Sequence, residues 1–282
     1  MKLVRYGAPG REKPGLIGAD GKIRDISGLV GDLAGAGLSP ASLAKIKAAD
    51  VATLPVVSGS PRLGSCVGRP GNFIAIGLNY ADHAAETGSP IPKEPIVFNK
   101  APNCVVGPND DVMIPRTSQK LDWEVELAVV IGSTASNVSK DDAMKHVAGF
   151  CVCNDVSERY YQIERGGQWT KGKGCPTFGP LGPWLVTTDE IADVGKLGMW
   201  LDVNGERMQT GSTATMIFDV ATLVAAVSEF MQLDPGDVIT TGTPPGVGMG
   251  MKPPRFLKAG DVMTLGIEGL GEQKQTVVAY KG

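Results

Sequence analysis

Two glutamates two residues apart open the chemical reading of this chain. In Trp123-Glu-Val-Glu-Leu-Ala-Val-Val-Ile-Gly132, Glu124 and Glu126 alternate with Val125 and Leu127. Residues two apart on a strand project to one face, so the carboxylates stand side by side. Like charges at that spacing repel unless something positive lies between them. A hard divalent cation does this, and carboxylate oxygens are the donors that Mg2+, Mn2+ and Ca2+ prefer. Taken alone, the commoner explanation is a strand with its glutamates in water.

Asp155 shifts that balance. It ends the apolar stretch Gly149-Phe-Cys-Val-Cys-Asn-Asp155, where a third carboxylate makes a typical hard-metal set with positions left for water and substrate. A helix N-cap is the bland alternative for Asp155, and both roles can coexist. Arg159 and Gln162 follow at helical spacing and suit one face reaching an acid group. His83 and Glu86 are three apart on a helical pattern. A carboxylate bonded to an imidazole fixes its tautomer and raises its basicity, as a general base for water requires. The bland alternative is a surface pair. His146, the only other histidine, reads as a surface or packing residue. Lys171 and Lys173 lie on the glycine-rich Gln168-Trp-Thr-Lys-Gly-Lys-Gly174, where a lysine could meet a carboxylate or a developing enolate. Thr240-Thr-Gly-Thr-Pro-Pro-Gly-Val-Gly248 lacks the GxxxxGK[ST] pattern and gives no support to nucleotide phosphate binding.

The elements that must hold these groups are mostly short strands. Strand patterns cover Phe73–Ile76, Ile96–Asn99, Trp123–Ile131, Gly149–Asn154, Leu197–Val203, Val238–Thr241, Asp261–Ile267 and Thr276–Tyr280. Asn204-Gly205 suits a tight hairpin turn. Helical spacing marks Asn79–Thr87, Lys140–His146 and the longer Ile217–Leu233. Residues 1–68 read as a small N-terminal α/β unit, with strands at Lys2–Tyr6, Lys13–Ile17 and Ile23–Ile26 and a helix at Ser39–Ala49. Val57–Pro70 reads as a linker, and residues 69–282 as the catalytic domain. Many strands without a regular βαβ rhythm predict an α+β, β-rich fold.

Composition narrows the function classes. The chain has 282 residues, 42% of them hydrophobic, and a net charge of −3, enough for a sizeable core and without the basic excess of a nucleic-acid or anionic-membrane binder. An anionic substrate therefore needs local positive charge, from a metal or from specific lysines and arginines. The 38 glycines and 20 prolines fit many turns between strands. Five cysteines without a CxxC pair read as buried thiols. No signal-like or membrane-length apolar run is present, and the expectation is a soluble cytoplasmic protein.

Together these segments resemble the fumarylacetoacetate hydrolase family. The matching pieces are Gly77-Leu-Asn-Tyr-Ala-Asp-His83 with Glu86, Glu124-Val-Glu126, Asn154-Asp155-Val-Ser-Glu-Arg159 with Gln162, Trp169-Thr-Lys-Gly-Lys173 and Thr241-Gly-Thr-Pro244 with Gly246-Val-Gly248. Asn204-Gly-Glu206 and Met216-Ile-Phe218 match as well. The resemblance implies a mixed β-roll catalytic domain, a homodimer and a Mg2+ or Mn2+ site, for which Ca2+ could stand in within a crystal. It implies Glu124, Glu126 and Asp155 as metal ligands, and His83 with Glu86 as a water-activating dyad on a segment that often acts as a mobile lid. Lys173 is implied near the substrate, with Arg159, Gln162, Thr243 and Tyr80 on the substrate side. Leu78, where many members have arginine, and Tyr160, where aspartate is common, depart from the pattern and bear on substrate choice. The implied reaction is hydrolysis of a C–C bond in a 2,4-diketo acid to pyruvate and a second acid. Over its whole length the chain looks most like the branch acting on 2,4-diketo-3-deoxy acids from L-rhamnonate or L-fuconate. The same enolate chemistry also serves ureidoglycolate lyase, oxaloacetate decarboxylase or keto–enol isomerase reactions. A binding protein that holds 2-oxo acids without turnover would keep the three carboxylates but would not need His83 and Glu86.

Overall fold

A computed structural model describes residues 1–88 and 90–281. Its largest element is a ten-stranded sheet. The order across it is Ile23–Asp25, Lys13–Ile17, Lys2–Tyr6, Gly179–Thr187, Val147–Asn154, Val125–Ile131, Val238–Thr240, Phe73–Gly77 and Ile96–Lys100. The tenth strand, Val105–Val106, pairs alongside Gly179–Thr187. Neighbours run antiparallel except where Val238–Thr240 meets Phe73–Gly77 and where Val105–Val106 joins. A second sheet of five strands runs Glu206–Ser212, Gly198–Val203, Val262–Ile267, Gly271–Val278 and Val112–Met113. The fold is mixed and strand-rich, as the sequence predicts.

The central strands explain themselves. Val125–Ile131 and Val147–Asn154 are buried at every position, and their near-continuous apolar runs suit strands covered on both faces. Glu126 is the one acid within either of them. The C-terminal strand is longer than expected, Gly271–Val278 rather than Thr276–Tyr280. Its inward side chains include Gln273 and Gln275, so hydrophobic alternation does not reveal it. Gln273 Nε2 donates to Val152 O at 2.7 Å, and Gln275 Oε1 accepts from Asn154 Nδ2 at 3.0 Å. These bonds satisfy the buried amides and tie the second sheet to the central strand.

The N-terminal segment, residues 1–68, packs onto the rest of the chain. Lys2–Tyr6 pairs with Gly179–Thr187 and extends the large sheet, while Leu3, Leu16, Ile26, Leu33 and Leu38 join the common core. Residues 57–70, read as a linker, are packed in part. Cys66 and Val67 are buried, and Arg62 pairs with Glu12 and Asp110. The helix expected over Ile217–Leu233 is shorter, Val220–Phe230, because Asp219 caps it by accepting from Thr222 N at 2.8 Å. That leaves the backbone N–H groups of Ile217 and Phe218 for Asn79, whose carbonyl and side-chain oxygens accept them at 2.7 and 2.8 Å. All five cysteines are free thiols. No described helix is long and apolar enough to cross a membrane.

Candidate active site

Glu126 sits on the strand Val125–Ile131, opposite Cys153 in the register. Glu124 lies just before that strand rather than within it. The ladder nevertheless continues: Asp155 N donates to Glu124 O at 2.9 Å, and Asn154 Oδ1 accepts from Glu124 N at 3.2 Å. Two adjacent strands thus deliver three carboxylates to one point. Glu124, Glu126 and Asp155 are all buried, with one oxygen of each within 4.8 Å of the others. Gly242 N donates to Glu126 Oε2 at 2.9 Å from a φ of +90, a backbone shape suited to glycine. Thr243 Oγ1 donates to Val125 O at 2.9 Å and accepts from Gln209 Nε2 at 2.8 Å, locking the turn to the strand.

Three cations converge on these acids. Lys173 Nζ lies 2.5 Å from Glu124 Oε2 and 2.7 Å from Asp155 Oδ2. Arg159 donates Nη2 to Glu124 Oε1 at 2.6 Å, Nε to Asp122 Oδ2 at 2.8 Å and Nη1 to Gln162 Oε1 at 3.0 Å. Lys100 Nζ donates to Asp155 Oδ1 and to the Lys173 carbonyl oxygen, each at 2.6 Å. Burial works against the charge on Glu124, but Arg159 and Lys173 outweigh it and hold its pKa at about 2. Glu126 is the opposite case. Burial first, then the charges of Asp155 and Glu124, push it well above the ordinary carboxylate range. Four buried carboxylates, counting Asp122, face three cations, so the cluster is short of positive charge at Glu126. An all-oxygen donor set with that deficit fits a hard divalent cation.

His83 lies on the short helix Ala81–Thr87 with Nδ1 3.0 Å from Glu86 Oε2. Glu86 Oε1 in turn accepts from Gly246 N at 3.0 Å, which joins this helix to the Pro244–Gly248 turn. His83, the three carboxylates, Arg159, Gln162, Lys173 and Thr243 line one cavity of about 170 Å³. Its other lining is apolar: Ile76, Leu78, Phe98, Ile163, Trp169 and Met249. Trp169 packs edge-on to Phe98 with centroids 5.2 Å apart. A Cβ on Gly77 would lie 2.5 Å from the Trp169 ring, so the indole needs that glycine. Leu78 has φ +50, a left-handed conformation that costs an ordinary residue about 1–2 kcal/mol. Asn79 holds the strain in place, its Nδ2 donating to Thr241 O at 2.8 Å and to Phe218 O at 3.1 Å.

Most of the residues singled out in the sequence meet here, but not all. Tyr80, expected on the substrate side, does not line the cavity. It is fully buried and its hydroxyl donates to Met199 Sδ at 3.2 Å. Arg159 and Gln162 do share a face, but Asp155 does not open their helix. The short strand Ser157–Glu158 intervenes, and Tyr160–Glu164 is a π-helical turn that buries Gln162. Lys171 faces outward and bonds Arg165 O. His146 lies elsewhere, 3.0 Å from Ser133 Oγ. Lys100 and Asp122 were missed. The available signals were a lysine ending the apolar stretch Ile96–Lys100 and an acid directly before Trp123. Asp122 also accepts from Gly248 N at 2.7 Å and Met249 N at 3.0 Å.

The fold is mixed and strand-rich and carries a buried cluster of carboxylates. Residues 72–278 match the model of the fumarylacetoacetate (FAA) hydrolase C-terminal domain, and the chain belongs to the fumarylacetoacetate hydrolase family. A relative from Burkholderia multivorans, provisionally named a hydrolase, is 64% identical over the full length of both chains. The fumarylacetoacetate hydrolase of the psychrophile Exiguobacterium antarcticum superposes with a TM-score of 0.87 at 38% identity, covering 99% of this chain and 100% of that one. The maleylpyruvate hydrolase of Sphingobium sp. SYK-6, solved with manganese(II) and pyruvate, superposes with a TM-score of 0.83 at 28% identity over 100% of both chains.

Proposed function

We propose that this protein is a divalent-metal-dependent hydrolase that splits the C3–C4 bond of 2,4-diketo acids. This class includes the 2,4-diketo-3-deoxy acids derived from L-rhamnonate and L-fuconate. The observation that carries the reading is the convergence of Glu124, Glu126 and Asp155 in a cavity also lined by His83 and Lys173. The pyruvate and manganese in the Sphingobium enzyme support it by analogy. Glu124, Glu126 and Asp155 would hold Mg2+ or Mn2+. When bound, such an ion supplies Lewis-acid stabilisation of negative charge developing on the 2-oxo oxygen.

The chain's own residues do the rest. His83, oriented by Glu86, takes a proton from water, whose oxygen attacks the C4 carbonyl. The C3–C4 bond breaks, C4 leaves as a carboxylic acid, and its bonding electron pair passes to C3 as pyruvate enolate. Proton return to C3 gives pyruvate, so one water is consumed. Lys173 lies where its ammonium can meet enolate charge, and Arg159 and Gln162 present donors to the carboxylate end. Gln162, Thr243 and Arg159 orient the acid, and two copies of the chain acting in the cytoplasm complete the reading. The test is pyruvate release from 2,4-diketo acids with Mg2+ or Mn2+. It should vanish with a chelator and fall about 10²–10⁴-fold in His83→Ala while calorimetry still detects metal binding. Full activity in His83→Ala would remove the base. Glyoxylate from ureidoglycolate, or carbon dioxide from oxaloacetate, without pyruvate from any diketo acid would replace hydrolysis with a lyase or decarboxylase.

A further inference from the structure

We infer that the far end of the substrate is an uncharged, largely apolar group and carries no second carboxylate. The inference rests on the reading of this site as one for 2-oxo acids. A 2-oxo acid directs its carboxylate and 2-oxo group to the charged groups of the lining, because only they offer ionic partners. The apolar lining available to the distal carbons is Ile76, Leu78, Phe98, Trp169, Ile163 and Met249, with the Lys173 ammonium 5.4 Å from the Phe98 ring centroid. Among the described residues, Arg159 and Lys173 are the only lysine or arginine side chains on the cavity wall, and both are engaged with the buried carboxylates.

The apolar lining is held in place by packing. Trp169 and Phe98 fix each other by edge-on packing, and Gly77 leaves the space the indole fills. Leu78 is held at φ +50 by the Asn79 bonds to Phe218 and Thr241. A strained backbone is thus spent on presenting a leucine to the cavity. Ile163 stands 47% exposed in the lining, an isoleucine where water also reaches. A terminal methyl or longer alkyl group gains by leaving water against such a surface, whereas a second carboxylate would lose hydration with no cation to replace it.

Two acids of equal length separate these cases without turnover. Neither 2-oxohexanoate nor 2-oxoadipate has a 4-oxo group to be cleaved, so calorimetric titration of the Mg2+-loaded protein reads binding alone. The alkyl acid should bind tighter by roughly tenfold or more. Leu78→Asn, which tolerates the left-handed backbone, should shrink that ratio, and Leu78→Arg should invert it. Equal or tighter binding of 2-oxoadipate by the unaltered protein overturns the inference, as does binding of neither acid. A parallel assay of pyruvate release from 2,4-dioxooctanoate keeps the two proposals apart. Selective binding of the alkyl acid with no cleavage of any diketo acid would sink the hydrolase reading and leave the apolar subsite standing.

Discussion

Two clusters of charge hold this molecule together, and they are built on opposite terms. The first, at the N-terminal edge, joins Arg5 to Asp32 by two bonds of 2.7 and 3.1 Å and Arg62 to Glu12 and Asp110. The side chains there keep 10–38% of their exposure. The second is the site, where the ion-paired side chains of Lys100, Lys173, Arg159, Asp122, Glu124 and Asp155 keep at most 7%. At the edge, water screens each pair and can replace a lost partner. In the centre nothing replaces it, so removing one group leaves a buried charge uncompensated. A deficit that the surface would tolerate must, in the interior, be met by a proton on Glu126 or by a cation.

Four substitutions would break or sharpen that contrast. The largest effect belongs to Asp155→Ala, which removes a proposed ligand and leaves Lys100 and Lys173 without their shared carboxylate. Pyruvate release should fall by at least about 10³-fold and Mg2+ affinity by more than about 10-fold, read by steady-state kinetics and calorimetry. Retained metal affinity would show that the triad is not the binding set. Next comes Lys100→Met. It strips the 2.6 Å bonds from Asp155 and from the Lys173 carbonyl, and should cost about 3–5 kcal/mol in denaturant unfolding. Mg2+ should recover part of that loss by binding only the folded state. Arg159→Met uncovers Asp122 and Glu124, though its position nearer the cavity admits some water, and about 2–4 kcal/mol is expected by the same measurement. The smallest change is Arg5→Met at the edge, at about 1 kcal/mol or less and shrinking further in high salt. If Arg5→Met proved as costly as Lys100→Met, burial would not be what separates the two clusters.

The site was legible in the sequence to the extent that its residues lie in short, regular patterns. The period of two put Glu124 and Glu126 on one face, and the end of the next apolar stretch placed Asp155. His83 and Glu86 were readable as neighbours because three residues is nearly one helical turn. Tyr80 is the exception. The family resemblance implies it on the substrate side, whereas the break between strand and helix turns its side chain into the core beside Met199. Lys100 was invisible because its partners are 55 and 73 residues away. No local pattern reports such a contact.

The same division runs through the fold. Apolar stretches such as Val125–Ile131 and Val147–Asn154 declare themselves as strands, and a cap residue such as Ser39 marks where a helix begins. Strand order does not declare itself. That Lys2–Tyr6 would add to the large sheet, and that Gln273 and Gln275 would face inward, depended on which distant edge and which carbonyl groups were free to pair. From the sequence came three of the acids, Glu124, Glu126 and Asp155, and the His83–Glu86 pair, because side-chain chemistry and local period are properties of the chain. Only the tertiary structure decided that the acids outnumber their cations in the interior, and that a strained leucine lines the same cavity. Charge balance and desolvation belong to a volume, and that volume exists only after distant segments have packed around it.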